Sequence, residues 1–377
     1  MRPLIIFLTA SVLFFAFITP WVFAQIENLP WGVERIRGDL PRAGQGVRIA
    51  VIDTGIWRDH PDLWGRVVDG ISYGIGEYWE DYDGHGTRIA GTIAAVDDGN
   101  HLIGVAPKAS LYAVKRGSLD SIIDGINWAV NKGVNIISMS FGFYEDDVTE
   151  EYLNSLEEAC NNAYNGGVLL IAGSGNDDIP IVMYPAAFDS VIAVGAVDQN
   201  DDRWIESYPP SGSNYGWELE FAGPGADINS TFPPNTYNVE SGTSYAVPHV
   251  TGTAALIFGS KVDAEYDSNS NGQWDSSEVR EKLKDTALDL APPIGKDAYY
   301  GCGLVNAWYS NQRPPGDINY DYVVDGRDLA LLTWHWGETP EDPYWFEYAR
   351  PCDINIDNEV DVVDLAIMGS HYGEFDP

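Results

Sequence analysis

From about residue 47 onward, apolar β-branched runs alternate with segments of helical period. The runs Val47–Ile52, Leu111–Val114, Val134–Met139, Val168–Ala172 and Val191–Val197 are nearly continuous in apolar residues. That is the pattern of strands buried on both faces. Between them, the spacing predicts helices over Thr87–Val96, Ser121–Asn131, Thr149–Asn165 and Ala246–Ser260. Strand and helix in alternation predict an α/β fold with a mostly parallel sheet. Functional residues of such sheets gather at the carboxyl ends of the strands. Asp53 ends the first predicted strand, and Asn176 lies just past the fourth.

The ends of the chain have a different character. Arg2 precedes an apolar run, Leu4 to Ile18, and Val22-Phe23-Ala24 offers small residues where a signal peptidase reads. A cleaved secretory signal over 1–24 is expected. The same segment is also about long enough to anchor in a membrane, and either reading implies export. Pro and polar residues at 311–316 read as a linker between a large domain, 25–310, and a tail, 317–377. The tail is rich in acids and repeats internally: Asp317-Ile318-Asn319-Tyr320-Asp321 is matched by Asp353-Ile354-Asn355-Ile356-Asp357.

Composition narrows the function. The 377 residues carry 21 Lys+Arg against 57 Asp+Glu, a net charge of −36, which excludes nucleic acid as an expected partner. Carboxylates in such number either solvate the surface or, where spacing allows, hold Ca2+. The three cysteines are far apart and form no zinc or redox motif. One disulfide could form in three alternative ways.

Three segments carry candidate chemistry. Asp53-Thr54-Gly55 follows a strand, while His85-Gly86-Thr87 and Gly242-Thr243-Ser244 open helices. An acid, an imidazole and a hydroxyl are the parts of an activated serine. The hydroxyl needs a base to take its proton, and the base needs an acid to orient it. Glycine beside each residue permits close backbone approach.

With these flanks, Val51-Ile52-Asp53-Thr54-Gly55, Gly84-His85-Gly86-Thr87 and Ser241-Gly242-Thr243-Ser244, the sequence resembles the subtilisin-like serine proteases from about Leu29 to Tyr309. The resemblance implies a subtilisin-like three-layer sandwich and a serine endopeptidase working through an acyl-enzyme on protein or peptide substrates. It implies Ser244 as nucleophile, His85 as general base, Asp53 as orienting carboxylate and Asn176 as oxyanion donor. It also implies substrate contacts along Ser140-Phe141-Gly142 and Ala172-Gly173-Ser174. Glu27 to Val33 resembles the start of a mature enzyme, so no pro-domain is expected. Three further departures stand out. The chain is short between Lys115 and Ile126, where the family carries a second substrate-flanking strand. Arg88 replaces a histidine and Tyr245 a methionine, with small effects expected. Asp177–Met183 is also short, and Met183 is expected at the base of the specificity pocket.

Three groups of acids have calcium-ligand spacing. Asp267, Asn269, Asn271, Gln273 and Glu278 match an EF-hand loop with Gly272 at its turn. By resemblance, Asp62, Asp98, Glu27 and the carbonyls of Val96, Asn100 and Leu102 match the family's calcium loop. The tail resembles a dockerin, a small α-helical module of paired loop-helix units. Its expected ligands include Asp317, Asn319, Asp321 and Asp328 in one loop and Asp353, Asn355, Asp357 and Asp364 in the other. A dockerin implies a cohesin-type scaffold or surface partner and an extracellular enzyme, free or associated with the cell surface. The alternative function is a catalytically weak or silent subtilase-like binding protein on the same tether.

Overall fold

A computed structural model describes residues 29–38, 44–74, 78–208, 210–262, 266–290 and 295–307, with 326–334, 336, 360, 361, 365, 366 and 368 beyond. The predicted signal segment, Glu27 and most of the tail lie outside the described residues. No helix among the described residues is long and apolar enough to cross a membrane.

Eleven strands are described: β1 Arg48–Asp53, β2 Val67–Ser72, β3 Ser110–Lys115, β4 Ile136–Met139, β5 Leu169–Gly173, β6 Val191–Val197, β7 Ile205–Ser207, β8 Pro210–Gly212, β9 Leu219–Pro224, β10 Ile228–Phe232 and β11 Thr236–Glu240. Seven form one sheet in the order β2-β3-β1-β4-β5-β6-β9, parallel throughout. β1 pairs with β3 on one side and β4 on the other, so the strand order reverses there. A crevice opens at such a point, outside the carboxyl ends of the strands. The helices are α1 Trp31–Arg35, α2 His85–Ala94, α3 Asp120–Asn131, α4 Glu150–Asn165, α5 Thr243–Phe258, α6 Ser276–Thr286 and α7 Gly326–Trp334.

Alternation along each strand feeds two cores. On β1, Ile49 and Val51 join a cluster with Ile89 and Ile93 of α2 and Val250 and Leu256 of α5. Ala50 and Ile52 point the other way, to Ile122 and Ile126 of α3 and Leu156 of α4. Each fully buried aliphatic side chain contributes roughly 1.5–3 kcal/mol, so the sheet is the rigid frame of the domain. The long helix α5 is buried almost all round and packs against β4, β5, β6 and β9. Gly252 lets it run against Val105, which a Cβ there would meet at 2.4 Å.

The strands and helices predicted in the large domain are all present, with ends shifted by no more than three residues. β2 and β9, at the two edges of the sheet, were not anticipated from pattern. In the tail, α7 carries Asp328, and Leu332, Val360 and Met368 are buried.

Candidate active site

The carboxyl ends of β1, β4 and β5 converge with the amino ends of α2 and α5. Asp53 is the last residue of β1 and is buried; His85 is the first residue of α2 and is half-buried. The Asp53 Oδ1 accepts from His85 Nδ1 at 2.8 Å and from the Thr54 N–H at 2.7 Å. Gly86 permits this approach: a Cβ there would collide with the Gly55 carbonyl and lie 3.1 Å from Asp53 Cβ. Burial opposes charging of His85, but the Asp53 carboxylate outweighs it, with Arg88 acting against Asp53. The net pKa stands above the ordinary histidine value.

One residue that sequence reasoning missed ties these two segments together. Asp81 is fully buried. Its Oδ1 accepts from Thr54 Oγ1 at 2.9 Å, Asp83 N at 3.0 Å and Gly84 N at 2.9 Å. Its Oδ2 accepts from Thr87 N at 2.9 Å and Thr87 Oγ1 at 2.7 Å. Thr54 Oγ1 in turn accepts from Gly86 N at 2.9 Å. The carboxylate thus fastens the turn after Asp53 to the first turn of the His85 helix. The available signal was Asp81-Tyr82-Asp83-Gly84 before His85, an Asx-type turn sequence.

Ser244 is the second residue of α5. Pro248 lacks an N–H, so the Ser244 carbonyl has no donor four residues on. Ser140 Oγ donates to it instead, at 2.9 Å. In return, Ser244 Oγ donates to the Ser140 carbonyl at 3.1 Å. The serine is therefore pinned to the strand end after β4, with its hydroxyl turned to Ser140 rather than to His85. Asn176 follows β5 and is exposed. Its Oδ1 accepts from the N–H and Oγ1 of Thr243, both at 2.9 Å, which leaves its Nδ2 donors free to face outward. Gly242, at φ 150°, keeps that space open, since a Cβ there would lie 3.4 Å from Nδ2.

The expected substrate contacts fall on adjacent strand ends, Met139 of β4 pairing with Ala172 of β5. Phe141 is half-buried beneath the Arg116 guanidinium, 4.9 Å from its ring centroid, and Gly142 is exposed. Among the described residues no hydrogen bond engages the backbone of Phe141 or Gly142. Ala172 and Gly173 finish β5, and Ser174 donates from Oγ to the Asn214 carbonyl. The two family departures turn out to be neighbours: Arg88, almost fully buried, lies 5.3 Å from the Tyr245 ring centroid and 5.3 Å from that of Phe232. Arg88 Nη1 is also 3.0 Å from Glu240 Oε1, although its angle does not make this a well-formed hydrogen bond.

The calcium-spaced groups are elsewhere. Asp62 is buried, and its Oδ2 accepts from Tyr237 Oη at 3.0 Å and the Leu102 N–H at 3.3 Å. Burial raises its pKa against those two bonds. In the loop beside it, Asp98 Oδ1 accepts from Asn100 N at 3.0 Å, and the Val96 and Asn100 carbonyls accept no hydrogen bond among the described residues. In the other loop, Asp267, Asn269 and Asn271 turn oxygens inward to backbone N–H groups at 2.6–3.0 Å. Gln273 contributes an N–H to Asn271 Oδ1. Glu278 is buried, accepting from Ser268 N and Asp275 N. Asp275 caps α6, the helix that leaves this loop. Among the described residues no three acidic, His or Cys side chains form a metal cluster. Glu27 and the tail positions Asp317, Asn319, Asp321, Asp353, Asn355, Asp357 and Asp364 lie outside the described residues.

Residues 44–303 match the model of the subtilase family. Subtilisin BL from Lederbergia lenta is 40% identical over 292 residues, covering 74% of this chain and 98% of its own length. Subtilisin DY from Bacillus licheniformis is 40% identical over 295 residues, covering 74% and 97%. A thermostable alkaline protease from Halalkalibacterium halodurans is 41% identical over 297 residues, covering 76% and 74%. Similarity of this extent, over the sheet and the three converging segments alike, fixes the identity: the chain belongs to the subtilase family and is a serine-type endopeptidase.

Proposed function

We propose that Ser244 is the nucleophile of this peptidase, His85 its general base, Asp53 the carboxylate that orients His85, and Asn176 the oxyanion donor. The observation that carries the reading is the 2.8 Å Asp53–His85 bond beside an exposed Asn176 whose carbonyl is tied back to Thr243. For attack, the Ser244 hydroxyl leaves the Ser140 carbonyl and gives its proton to His85 Nε2 as Oγ bonds to the substrate carbonyl carbon. Asp53 stabilises the imidazolium that forms. The oxyanion is met by the Ser244 N–H and Asn176 Nδ2, near the amino end of α5. His85 returns the proton to the leaving amine, the acyl-enzyme remains, and water activated by the same imidazole releases the acid. Substrate backbone lies along Ser140–Gly142 on one side and Ala172–Ser174 on the other, as an added extended strand. A fluorophosphonate probe should label the wild type and not Ser244→Ala; equal labelling of both would overturn the assignment.

Calcium fits two loops of this domain by donor chemistry. Asp62 and Asp98, with the carbonyls of Val96, Asn100 and Leu102, offer an all-oxygen set, to which Glu27, outside the described residues, would add a carboxylate. So do Asp267, Asn269, Asn271, the Gln273 carbonyl and Glu278. Hard oxygen donors, carbonyls among them, suit Ca2+. A Ca2+ held by these residues would offset their carboxylate charge and stiffen surface loops, and would take no part in the acyl transfer. We also read the tail as a dockerin-like module that tethers an extracellular enzyme to a scaffold or surface protein. The repeat and the buried Leu332, Val360 and Met368 support that reading. Truncation after Tyr309 tests it, and should abolish attachment while leaving peptidase activity.

A further inference from the structure

The structure points to a restriction on what this peptidase cleaves, and the inference rests on the catalytic reading above. The reacting carbonyl must lie between Ser244 and Asn176. The side chain on its acyl side then has one gap to enter, between the chain leaving β4 at Ser140–Gly142 and the chain leaving β5 at Gly173–Asn176. Both walls of that gap carry glycine. A Cβ built on Gly142 lies 2.8 Å from Met183 Cβ and 3.0 Å from Met183 Sδ. A Cβ built on Gly175, from the opposite wall, meets the Asn214 Nδ2 first, at 2.3 Å, and lies 3.0 Å from the same Sδ. The thioether thus fills the room beside Gly142 and reaches across to Gly175, whose own space it shares with the Asn214 amide.

Met183 is held in place by backbone bonds to both sides of the gap. Its N–H donates to the Ser174 carbonyl at 2.9 Å, and the next residue, Tyr184, exchanges two bonds of 3.0 Å with Phe143. Its own carbonyl accepts from Ala187 N at 3.0 Å. Only rotation of the side chain could vacate the gap, and the half-buried thioether packs there against both walls. We propose that Met183 closes the primary specificity pocket to large side chains, so that this enzyme cleaves after small residues, glycine, alanine or serine, in preference to aromatic or long aliphatic ones.

The test is a series of peptide nitroanilides identical except for the residue before the cleaved bond: Gly, Ala, Ser, Leu or Phe. Wild type should favour Ala over Phe by at least about tenfold in kcat/KM, the usual effect of pocket shape on apolar side chains. Met183→Ala should raise the Phe/Ala ratio by about tenfold or more, while Met183→Leu, which keeps the volume, should hold the wild-type ratio. A wild type that cleaves after Phe as readily as after Ala, or a ratio unmoved by Met183→Ala, overturns the proposal. Fluorophosphonate titration of each preparation separates the two readings. Labelled enzyme with a flat preference refutes the closed pocket alone, whereas unlabelled, inactive wild type refutes the catalytic assignment on which it rests. The ratio is read per labelled site, so partial misfolding of a variant does not mimic either result.

Discussion

The guanidinium of Arg88 lies 5.3 Å from the centroid of the Tyr245 ring, and that ring lies 5.7 Å from the imidazole of His85. Arg88 is on the same helix as His85, three residues on, so a buried cation stands one turn from the proposed general base. Tyr245 fills the space between α5 and α2 and takes the guanidinium on its ring.

This arrangement sets a pH dependence. The charged groups acting on His85 are Asp53 and Asp83, which favour its protonation, and Arg88, which opposes it; burial opposes it too. With its pKa raised, His85 gains the neutral form at higher pH than an ordinary histidine, so the acid limb of kcat/KM is expected above the ordinary histidine value. Arg88→Met removes the opposing cation and should move that limb to still higher pH; Arg88→Lys should move it less. Glu240→Gln frees Arg88 of its counter-charge and should move it to lower pH. A pH profile of kcat/KM checks all three, and coincident profiles would contradict the argument.

Asp81→Ala leaves the half-buried Thr54 hydroxyl and the buried Gly84 and Thr87 N–H groups without their acceptor. Each orphaned buried group costs about 1–3 kcal/mol. The variant should melt well below wild type and lose kcat by about tenfold or more, because Asp53 and His85 are no longer fastened together. Asp81→Asn keeps one acceptor oxygen and should recover part of both losses. Melting curves and kcat measured side by side decide this.

Asn176→Ala should lower kcat by about 10²–10³ with little change in KM, a magnitude carried over from an oxyanion donor of subtilisin itself. Thr243→Val removes one of the two bonds that hold Asn176 Oδ1 and should give a smaller loss of the same kind. A rise in KM at constant kcat would mean that Asn176 binds ground-state substrate instead.

His249 is fully buried in α5, and burial depresses its pKa to about 4; its Nδ1 donates to the Tyr245 carbonyl at 2.8 Å. A depressed histidine contributes stability above its unfolded pKa of about 6.5 and loses it as pH falls toward the folded value. Urea unfolding of the Ser244→Ala protein should therefore lose about 3 kcal/mol between pH 7 and pH 4 from this group alone. His249→Asn should flatten that slope. Equal slopes would assign the acid sensitivity to other groups.

Calcium bound only to the folded state stabilises it by about 2.7 kcal/mol at a hundred times Kd. Chelator should therefore lower the melting temperature of the full chain, and Glu278→Ala should remove part of the calcium response. Identical melting curves with calcium and with excess chelator would refute the loop assignments.

Much of this was legible in the chain because buried parallel strands advertise themselves as apolar runs. β2 and β9 did not. Val67–Ser72 is an edge strand broken by Asp69 and Gly70. Leu219–Pro224 contains Glu220, which is buried only because Arg280, sixty positions on in α6, closes on it with two hydrogen bonds. Compensation at that separation leaves no local pattern. The same holds for Arg88 and Tyr245, two isolated oddities in sequence that fold into one contact. Asp81 was hidden for another reason: an acid in a turn looks like any surface acid until its carboxylate is seen buried under five donors.

The order in which the sheet is threaded has a consequence for synthesis. Asp53 and His85 meet across 32 residues. Ser244 reaches them only on a helix that packs against β9, the last strand to join the sheet. An unfinished chain lacking that helix holds the proposed acid and base without the proposed nucleophile. On the catalytic assignment proposed above, the enzyme becomes able to cut only when most of its own fold, including the far edge of the sheet, has been made, so a chain still being synthesised is unarmed.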